Sequence, residues 1–326
     1  MTVTIRQYLP EDCEDWDAFC ERTIQGTFLH TRAFLSYHGD RFKDRSLIIE
    51  CNGKWVGILP AALSLTDSQT VVSHPGITYG AVLHKGDIRG AILISIMAEI
   101  VIFYRSQGLN YLVYKAVPTV YHQAPAQDDL YALYRFGAKL IRCDLSCSID
   151  LLNPLPMSSR RKRGEKKARR AGVEIVEGKE LLPAFWEIVT TNLSQRHSAT
   201  PTHTADEIAL LADRFPDRIK CVCAELDGSI IAGVLLFITP TVHHAQYIAS
   251  NEKGFEFSAL DLLFNHCLTV ATIQAARYFD FGISNEKAGS ILNDGLYRFK
   301  SEFGGGGIVH NFFQIDLTRG VQDAAI

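Results

Sequence analysis

The sequence has 326 residues, of which 47% are hydrophobic and 21% are charged, and its formal net charge is −3. A chain of this length usually divides into two domains, because single hydrophobic cores stop growing near this size. The composition excludes a disordered or low-complexity protein. The longest apolar run, residues 91–103, is too short to span a bilayer and contains Glu99, so it predicts a buried helix.

Neither the start of the chain nor its cysteines indicate export or metal binding. Residues 1–10 have the pattern of a strand, and no signal peptide is expected. The eight cysteines follow no zinc-ligand spacing, and several lie in apolar strands, where a free thiol behaves as a small hydrophobic group. We therefore expect a cytoplasmic protein with reduced cysteines and no metal.

Positive charge is concentrated in residues 160–170, which contain eight basic residues and one acidic residue. The rest of the chain is acidic. Such a segment indicates either a polyanionic partner or a solvated helix at a domain junction.

The first half of the chain predicts a mixed α/β unit. Two apolar strands, 46–51 and 55–64, flank Asn52-Gly53, a strong hairpin sequence. The elements expected around this hairpin are a strand at 1–10, helices at 12–22 and 32–41, a strand at 70–73, a loop at 74–87, a helix at 89–106, a strand at 110–115, a helix at 129–137 and a strand at 140–150.

The second half repeats this order around a second hairpin sequence, Asp227-Gly228. Its expected elements are a basic helix from Ser158 or Ser159 to Gly172, a strand at 173–176, helices at 181–195 and 205–214, strands at 220–225, 230–239 and 242–250, a loop at 251–257, a helix at 258–276 and a strand at 278–281. The repetition predicts a duplicated domain. We place the boundary between residues 153 and 154, where Asn153, Pro154 and Pro156 interrupt the pattern.

The most specific residue pattern lies at 278–305, YFDFGISNEKAGSILNDGLYRFKSEFGG. It combines Asp-Phe-Gly after the last long helix with Gly-Leu and Phe-Lys before a glycine-rich turn, at Asp280, Phe281, Gly282, Gly295, Leu296, Phe299, Lys300, Gly304 and Gly305. Supporting matches are Pro201–His203, Tyr79-Gly80 and the arginine-rich stretch that ends at Gly172. In this order of elements, the set resembles the tandem GNAT, or Fem-like, acyltransferases. The resemblance implies two GNAT-like domains, residues 1–153 and 154–326, each a mixed, mostly antiparallel twisted sheet flanked by helices.

The resemblance also implies an N-acyltransferase, with two donor classes. Some Fem-like proteins transfer amino acids from aminoacyl-tRNA to a peptidoglycan precursor and often carry a coiled-coil arm, whereas this sequence has no sustained heptad segment. Other tandem GNAT proteins resemble enzymes that use acyl-CoA to acylate the amine of a nucleotide-linked amino sugar, such as a dTDP- or UDP-amino-deoxyhexose. The compact length and the missing arm favour this second group, in which we expect the amine to attack the thioester directly. The alternatives are the aminoacyl-tRNA reaction and a non-catalytic protein that binds an anion or RNA.

The donor is expected in the second half and the acceptor in the cleft between the halves. A helix N-terminus suits a pyrophosphate, because its N–H groups are free and it carries a partial positive charge. The loop at 251–257 precedes a predicted helix of this kind. The residues expected to bind the coenzyme A portion of the donor are Ser250, Asn251, Lys253, Gly254, Phe257, Ser258 and, by the resemblance, Lys300.

Attack of an amine on a thioester needs a group that takes the amine proton and a group that protonates the leaving thiolate. Histidine has a suitable pKa, and we choose His203 because it lies in a polar loop. His243 and His244 are adjacent in one strand, so at most one of them faces a given cleft. Tyr247 is a candidate acid, and the resemblance places Lys300 near the reacting centre. A covalent cysteine intermediate is not favoured, because no cysteine has a nearby histidine in the sequence.

The acceptor is expected to contact aromatic and basic side chains, namely Tyr79, Lys115, Tyr121, His122, Arg161, Lys162 and Arg196. Three interpretations of the basic segment remain open. It binds the phosphates of CoA or a nucleotide sugar, it binds a tRNA backbone, or it forms a solvated helix. The expected partners are small molecules, without a membrane and, on the favoured interpretation, without a nucleic acid.

Overall fold

A computed structural model describes residues 3–197 and 201–319, apart from the side chains of residues 195–197. The chain forms two compact units. The first comprises Met1–Asp144, Lys287–Ser290 and Val309–Ile326, and the second comprises Leu145–Glu286 and Ile291–Ile308. The point at which one duplicated copy ends and the next begins, placed between residues 153 and 154, stays a prediction.

The strands and α-helices alternate along the chain. The strands are β1 (Val3–Gln7), β2 (Leu47–Cys51), β3 (Lys54–Leu59), β4 (Ala62–Leu63), β5 (Thr70–Val72), β6 (Leu83–His84), β7 (Tyr111–Lys115), β8 (Lys139–Asp150), β9 (Glu174–Glu177), β10 (Ile219–Leu226), β11 (Ser229–Ile238), β12 (Val242–Ser250), β13 (Tyr278–Ile283), β14 (Asn285–Glu286), β15 (Ile291–Leu292) and β16 (Gly306–Asp316). The helices are α1 (Cys13–Cys20), α2 (Arg32–Leu35), α3 (Ala91–Ser106), α4 (Asp128–Arg135), α5 (Ser159–Arg170), α6 (Leu182–His197), α7 (Ala205–Arg214), α8 (Glu252–Phe257), α9 (Ala259–Ile273) and α10 (Asp294–Ser301). No helix within the described ranges is long and apolar enough to cross a membrane.

In the first unit, one sheet has the order β1-β2-β3-β6, and a second group of strands has the order β4-β5-β7-β16. The β2–β3 hairpin turns at Asn52 and Gly53, whose φ angles are +52° and +73°. Positive φ at both turn residues matches the right-handed twist of the strands, which explains the Asn-Gly sequence. Strands β5 and β7 run parallel, and the other pairs described in this unit are antiparallel.

In the second unit, the strand order is β8-β13-β12-β11-β10-β9. The β10–β11 hairpin turns at Asp227 and Gly228 with the same signs of φ as in the first unit. Strands β12 and β13 run parallel, and their neighbours pair antiparallel. Helix α9 covers one face of this sheet through a core of aromatic and aliphatic residues that includes Phe264, Phe279 and Phe281. Helix α6 packs against β11 and β12 on the other face, where Gly233 leaves room for the Phe185 ring.

The predicted mixed α/β fold of two similar units is confirmed, with local differences. The stretch 32–41 is a short helix and a 3-10 turn instead of one helix, because Gly39 has φ +54° and interrupts it. The stretch 251–257, predicted as a loop, contains helix α8, which Asn251 caps by accepting from the Gly254 N–H at 3.0 Å. The long strand β16 was not among the predicted elements.

Candidate active site

The parallel strands β12 and β13 separate in the middle of the second sheet. They pair at three positions, from Val242–Tyr278 to His244–Asp280. Two residues after His244, β12 contains one surplus residue, Gln246, because Leu235 pairs with Tyr247 and Leu236 with Ala245. A surplus residue also follows Asp280 in β13, relative to β8. Bulges bend a strand, so both strands turn at one level, and in the described residues no strand pairs with β12 on its β13 side beyond His244.

A buried polar group lies at the point of separation. Asp280 is 0% exposed and its carboxylate accepts from Ser146 Oγ at 2.5 Å and from the Gly282 N–H at 3.2 Å. Its second oxygen lies 3.0 Å from His244 Nδ1. Gly282 has φ +76°, and a Cβ there would lie 3.4 Å from the His244 ring, so glycine suits this close approach. The Asp-Phe-Gly sequence thus places a carboxylate, a core ring and a tight turn in succession.

Lys300 lies beside this group but bonds to the backbone. Its Nζ donates to the carbonyl oxygens of Gly282 at 2.8 Å and Ile283 at 2.7 Å. Burial lowers the pKa of Lys300 to about 8, and the nearby Asp280 carboxylate opposes this shift. Lys300 therefore holds the end of β13 where that strand leaves β12. Its predicted role in catalysis or donor binding stays a prediction.

His203 and Tyr247, two residues predicted to be catalytic, are in contact. His203 Nδ1 lies 2.8 Å from Tyr247 Oη, and the Tyr247 ring makes an edge contact with Trp186 at 4.8 Å between centroids. Burial raises the pKa of the Tyr247 hydroxyl. Ala245 and Ile248 pack on the core side of the sheet, so His244 and Tyr247, on either side of the bulge, share the face opposite to that core.

An apolar pocket of about 270 Å³ runs along the open side of β12. Its wall includes the β12 residues from Tyr247 to Ser250. The remaining lining residues come from α6, α8, α9 and α10: Val189, Asn192, Leu193, Phe255, Leu260, Leu296 and Phe299. The pocket therefore lies beside the part of β12 from which β13 has separated.

A second pocket, of about 370 Å³, shares Phe255, Leu260 and Phe299 with the first and is basic. Helix α5 lines it with Arg160, Arg163 and Lys167, and the α8–α9 corner lines it with Gly254 and Ser258. The Lys167 ammonium donates to the Glu256 carbonyl oxygen. The apolar pocket and the cluster of cations are therefore adjacent. The basic face of α5 thus lines a pocket. The sequence alone did not decide whether this helix faces a ligand or only solvent.

Some of the residues predicted to bind the donor line one of the two pockets, and others line neither. Ser250 and Ser258 line the apolar and the basic pocket, respectively. Gly254 lies where a Cβ would overlap the Ile231 carbonyl oxygen and Ser250 Oγ, so close packing of α8 on β11 already requires glycine. Lys253 is exposed, Phe257 is half-buried, and neither lines either pocket.

Arg161 is held by other side chains although it borders the basic pocket. Its guanidinium lies 2.6 Å from the Asp261 carboxylate and 2.8 Å from that of Glu302, and the Phe299 ring lies beneath it at 4.5 Å. Lys162 is exposed and lies outside the basic pocket. The side chain of Arg196 falls outside the described residues. The acceptor contacts assigned to these three residues stay predictions.

The corresponding position of the first unit is closed. Strands β5 and β7 also pair at three positions, but residues 73–80 then fold back, and the Gly80 N–H donates to the Lys115 carbonyl oxygen at 2.8 Å. The third pair is Val72–Val113, where the second unit has His244–Asp280. The Lys115 ammonium donates to the His74 and Ile77 carbonyl oxygens, and burial lowers its pKa to about 7. In the described residues of the first unit, the slot and its polar pair are therefore absent.

The other first-unit residues predicted to contact the acceptor are packing residues in this structure. Tyr79 and Tyr121 are 2% and 1% exposed, and their rings contact each other at 4.6 Å between centroids. His122 Nε2 lies 3.0 Å from the Val117 carbonyl oxygen, and burial lowers the pKa of the ring. Their contact with an acceptor stays a prediction.

Residues 158–301, which include the polar pair and all the lining residues of both pockets, match the family model of the GNAT acetyltransferase domain. The second unit therefore resembles a GNAT acetyltransferase domain. The family match covers the unit in which β12 and β13 separate, in agreement with the placement of the open slot. No curated protein matches the chain significantly.

Solved structures are similar in fold to this chain over nearly its whole length. FemX is 12% identical with a TM-score of 0.69, and the match covers 100% of both chains. L-PGS from Bacillus licheniformis is 13% identical with a TM-score of 0.62, covering 94% of this chain and 92% of that one. A tandem GNAT protein from the clavulanic acid biosynthesis pathway is 14% identical with a TM-score of 0.52, covering 97% and 99%. The predicted tandem GNAT fold is confirmed, and these identities establish the fold alone.

The pairing of His244 with Asp280 was not evident from the sequence. The Asp-Phe-Gly match identified Asp280, but its partner lies 36 residues earlier in a strand with two adjacent histidines. Strand alternation left one of those histidines for this face. Among the described residues, His, Cys, Asp and Glu side chains form no cluster of three that could hold a metal ion.

Proposed function

We propose that the second unit binds an acyl-CoA thioester and transfers its acyl group directly to the primary amine of a nucleotide-linked amino sugar. The observation that carries the donor assignment is that the apolar pocket along the open side of β12 lies next to the basic pocket and shares three lining residues with it. The acceptor class rests on the resemblance to tandem GNAT enzymes and on the absence of an inserted heptad arm in the sequence.

The dimensions of the slot fit the pantetheine arm of CoA. From His244 to Ser250 the open side of β12 is roughly 20 Å long, and an extended pantetheine arm measures about 15 Å from standard covalent dimensions. Half of the backbone N–H and C=O groups of a strand point to each neighbouring strand. The amides of the arm can therefore bond to the groups of β12 that β13 has left unpaired.

The charge of the basic pocket fits the phosphates of CoA. Arg160, Arg163 and Lys167 line one side of it, and arginine in particular binds phosphate oxygens in a bidentate manner. The thioester then lies at the other end of the slot, near the His244–Asp280 pair. This order fixes the direction in which the donor binds.

Tyr247 is proposed as the acid that protonates the leaving thiolate. Burial keeps the hydroxyl protonated by raising its pKa, and it lines the slot that receives the pantetheine sulfur. His203, bonded to it, supplies the replacement proton. Tyr247 and His203 thus remain catalytic candidates. Tyr247 protonates the thiolate, and His203 reprotonates Tyr247.

Calorimetric titration with CoA tests the donor assignment. We expect one site per chain with a micromolar Kd, and about tenfold weaker binding for Arg163→Ala, which loses one charge-assisted phosphate contact. The matched control is Lys166→Ala on the same helix, because Lys166 is exposed and lies outside the basic pocket. Absence of CoA binding, or equal losses in both variants, would contradict the proposed donor site.

Aminoacyl-tRNA is the second candidate donor, and one observation favours it. Helix α5 carries exposed cations outside the basic pocket, among them Lys162, Lys166 and Arg170. Binding to tRNA would weaken steeply with salt, because several phosphates are neutralised together. CoA, which engages few cations, gives a shallow dependence. A steep dependence combined with no CoA binding would therefore replace the first proposal by this one.

A further inference from the structure

We infer that His244 is the base that takes the proton of the attacking amine, and that Asp280 is its positioning residue. This inference rests on the proposed function of the second unit. It differs from the assignment of His203 as the base, which came from the polarity of its loop.

His244 lies where the reaction has to occur if the donor occupies the slot. It forms the last β12–β13 pair, and beyond it the two strands separate. A thioester whose arm follows β12 therefore has its carbonyl carbon at this end, because the other end leads to the basic pocket. The His244 side chain is 12% exposed, so the ring is held firmly while some of its surface remains open.

Asp280 makes His244 a suitable proton acceptor. The carboxylate lies 3.0 Å from Nδ1, which fixes the ring with its other nitrogen, Nε2, as the basic atom. When Nε2 takes a proton, the buried negative charge of Asp280 compensates the imidazolium. His203, by contrast, has a neutral phenol at its Nδ1, which does not compensate a positive charge in this way.

The groups around the pair support this division of roles. Ser146 Oγ and the Gly282 N–H donate to the other Asp280 oxygen, so the carboxylate is fixed from two sides. The charged group beside it on α10 is Lys300, whose ammonium is bonded to backbone carbonyls. From β11, the residue paired with His244 is the uncharged Phe237.

A comparison of the two units separates this role from a structural one. The third strand pair of the first unit is Val72–Val113, in the same parallel arrangement. Two valines are therefore sufficient to build this region of the fold. The histidine and the buried carboxylate occur in the unit that has an open slot, where they serve a chemical purpose.

The proposed step is balanced in atoms and charge. The amine nitrogen attacks the thioester carbonyl carbon and forms the C–N bond, while its proton passes to His244 Nε2. The C–S bond then breaks, the carbonyl is restored, and the thiolate takes one proton. The products are an amide and a free thiol, and His244 returns its proton to solvent.

The test measures thiol release from acetyl-CoA with a panel of dTDP- and UDP-linked amino sugars. His244→Gln is expected to lower kcat by about 10²-fold or more, with the Kd for CoA unchanged, because a general base contributes about this much. It should also remove the acid limb of the pH profile of kcat/KM. Asp280→Asn is expected to lower kcat by about 10–100-fold and to shift that limb. Imidazole added to His244→Ala should restore a fraction of the rate.

The matched control is His266→Gln, because His266 also pairs with a carboxylate, Glu177 Oε1 at 2.6 Å, but lies on the surface of α9. This variant should keep the rate of the parent protein. If the parent transfers the acyl group and His244→Gln matches His266→Gln in rate and pH profile, the inference is overturned while the proposed function stands. If the parent does not bind CoA, both are overturned. If the circular dichroism of His244→Gln differs from that of the parent, the imidazole experiment with His244→Ala decides. Partial restoration of the rate supports the inference, and no restoration overturns it.

Discussion

Replacing Arg161 by methionine should destabilise the second unit without removing a ligand contact. Arg161 joins α5 to Asp261 on α9 and to Glu302, and its side chain is 8% exposed. Methionine fills a similar volume but leaves the Asp261 carboxylate, itself 7% exposed, without a partner. Breaking a buried ion pair from one side costs about 3–5 kcal/mol of unfolding free energy. Burial already raises the pKa of Asp261 against the influence of Arg161, which agrees with a large cost.

Urea unfolding followed by circular dichroism measures this cost, and Lys162→Met is the control. Lys162 is the exposed neighbour on the same helix, and its replacement should change stability by less than about 0.5 kcal/mol. Adding Asp261→Asn to Arg161→Met should recover some of the loss, because the unpaired charge is then gone. A structural role of Arg161 is refuted if Arg161→Met unfolds like Lys162→Met and instead weakens CoA binding more than tenfold. Arg161 would then be a ligand residue, as the sequence analysis expected.

Two further predictions concern stability. Gly254→Ala should cost about 2–3 kcal/mol, because the added Cβ overlaps the Ile231 carbonyl oxygen. Gly295→Ala, whose Cβ would meet only Asn293 Oδ1 at 3.6 Å, should stabilise α10 by about 0.5–1 kcal/mol, and thermal melts that rank the two variants alike would contradict this reasoning. Burial raises the pKa of Asp129 from 3.8 to about 6, so its contribution to stability is present below pH 4 and is lost as pH rises through 6. The difference in unfolding free energy between Asp129→Asn and the parent should therefore change by about 2 kcal/mol between pH 4 and pH 7, and a constant difference would show that the pKa of Asp129 is not raised.

Local sequence was sufficient to predict most of the fold. The two hairpins turn at Asn52-Gly53 and Asp227-Gly228 with positive φ, as those dipeptides require. The basic helix begins after Ser158, which accepts from the Arg161 N–H as an N-cap. Such features depend on a few neighbouring residues. Strand β16, in contrast, acquires its partner β7 from nearly 200 residues away, and its glycine-rich start indicates a turn.

The candidate site was predictable only where residue type determines role. His203 and Tyr247 were each chosen for their chemistry, and the structure brings them together. The roles of lysine and arginine residues were harder to predict, because the same side chain can bind a ligand or pair with a buried group. Arg161 and Lys115 are both satisfied inside the protein, whereas Arg163 lines the basic pocket. That difference depends on tertiary neighbours, which spacing along the chain does not reveal.

The slot along β12 depends on the number of residues more than on their identity. One surplus residue at Gln246, matched by one after Asp280, is enough to separate strands that otherwise run side by side. Side chains along the slot can therefore drift without closing it, whereas deleting Gln246 would remove the bulge, leave Tyr247 on its present face and let the strands rejoin. Loss of activity in such a protein can thus begin with a one-residue deletion that leaves each recognisable motif intact.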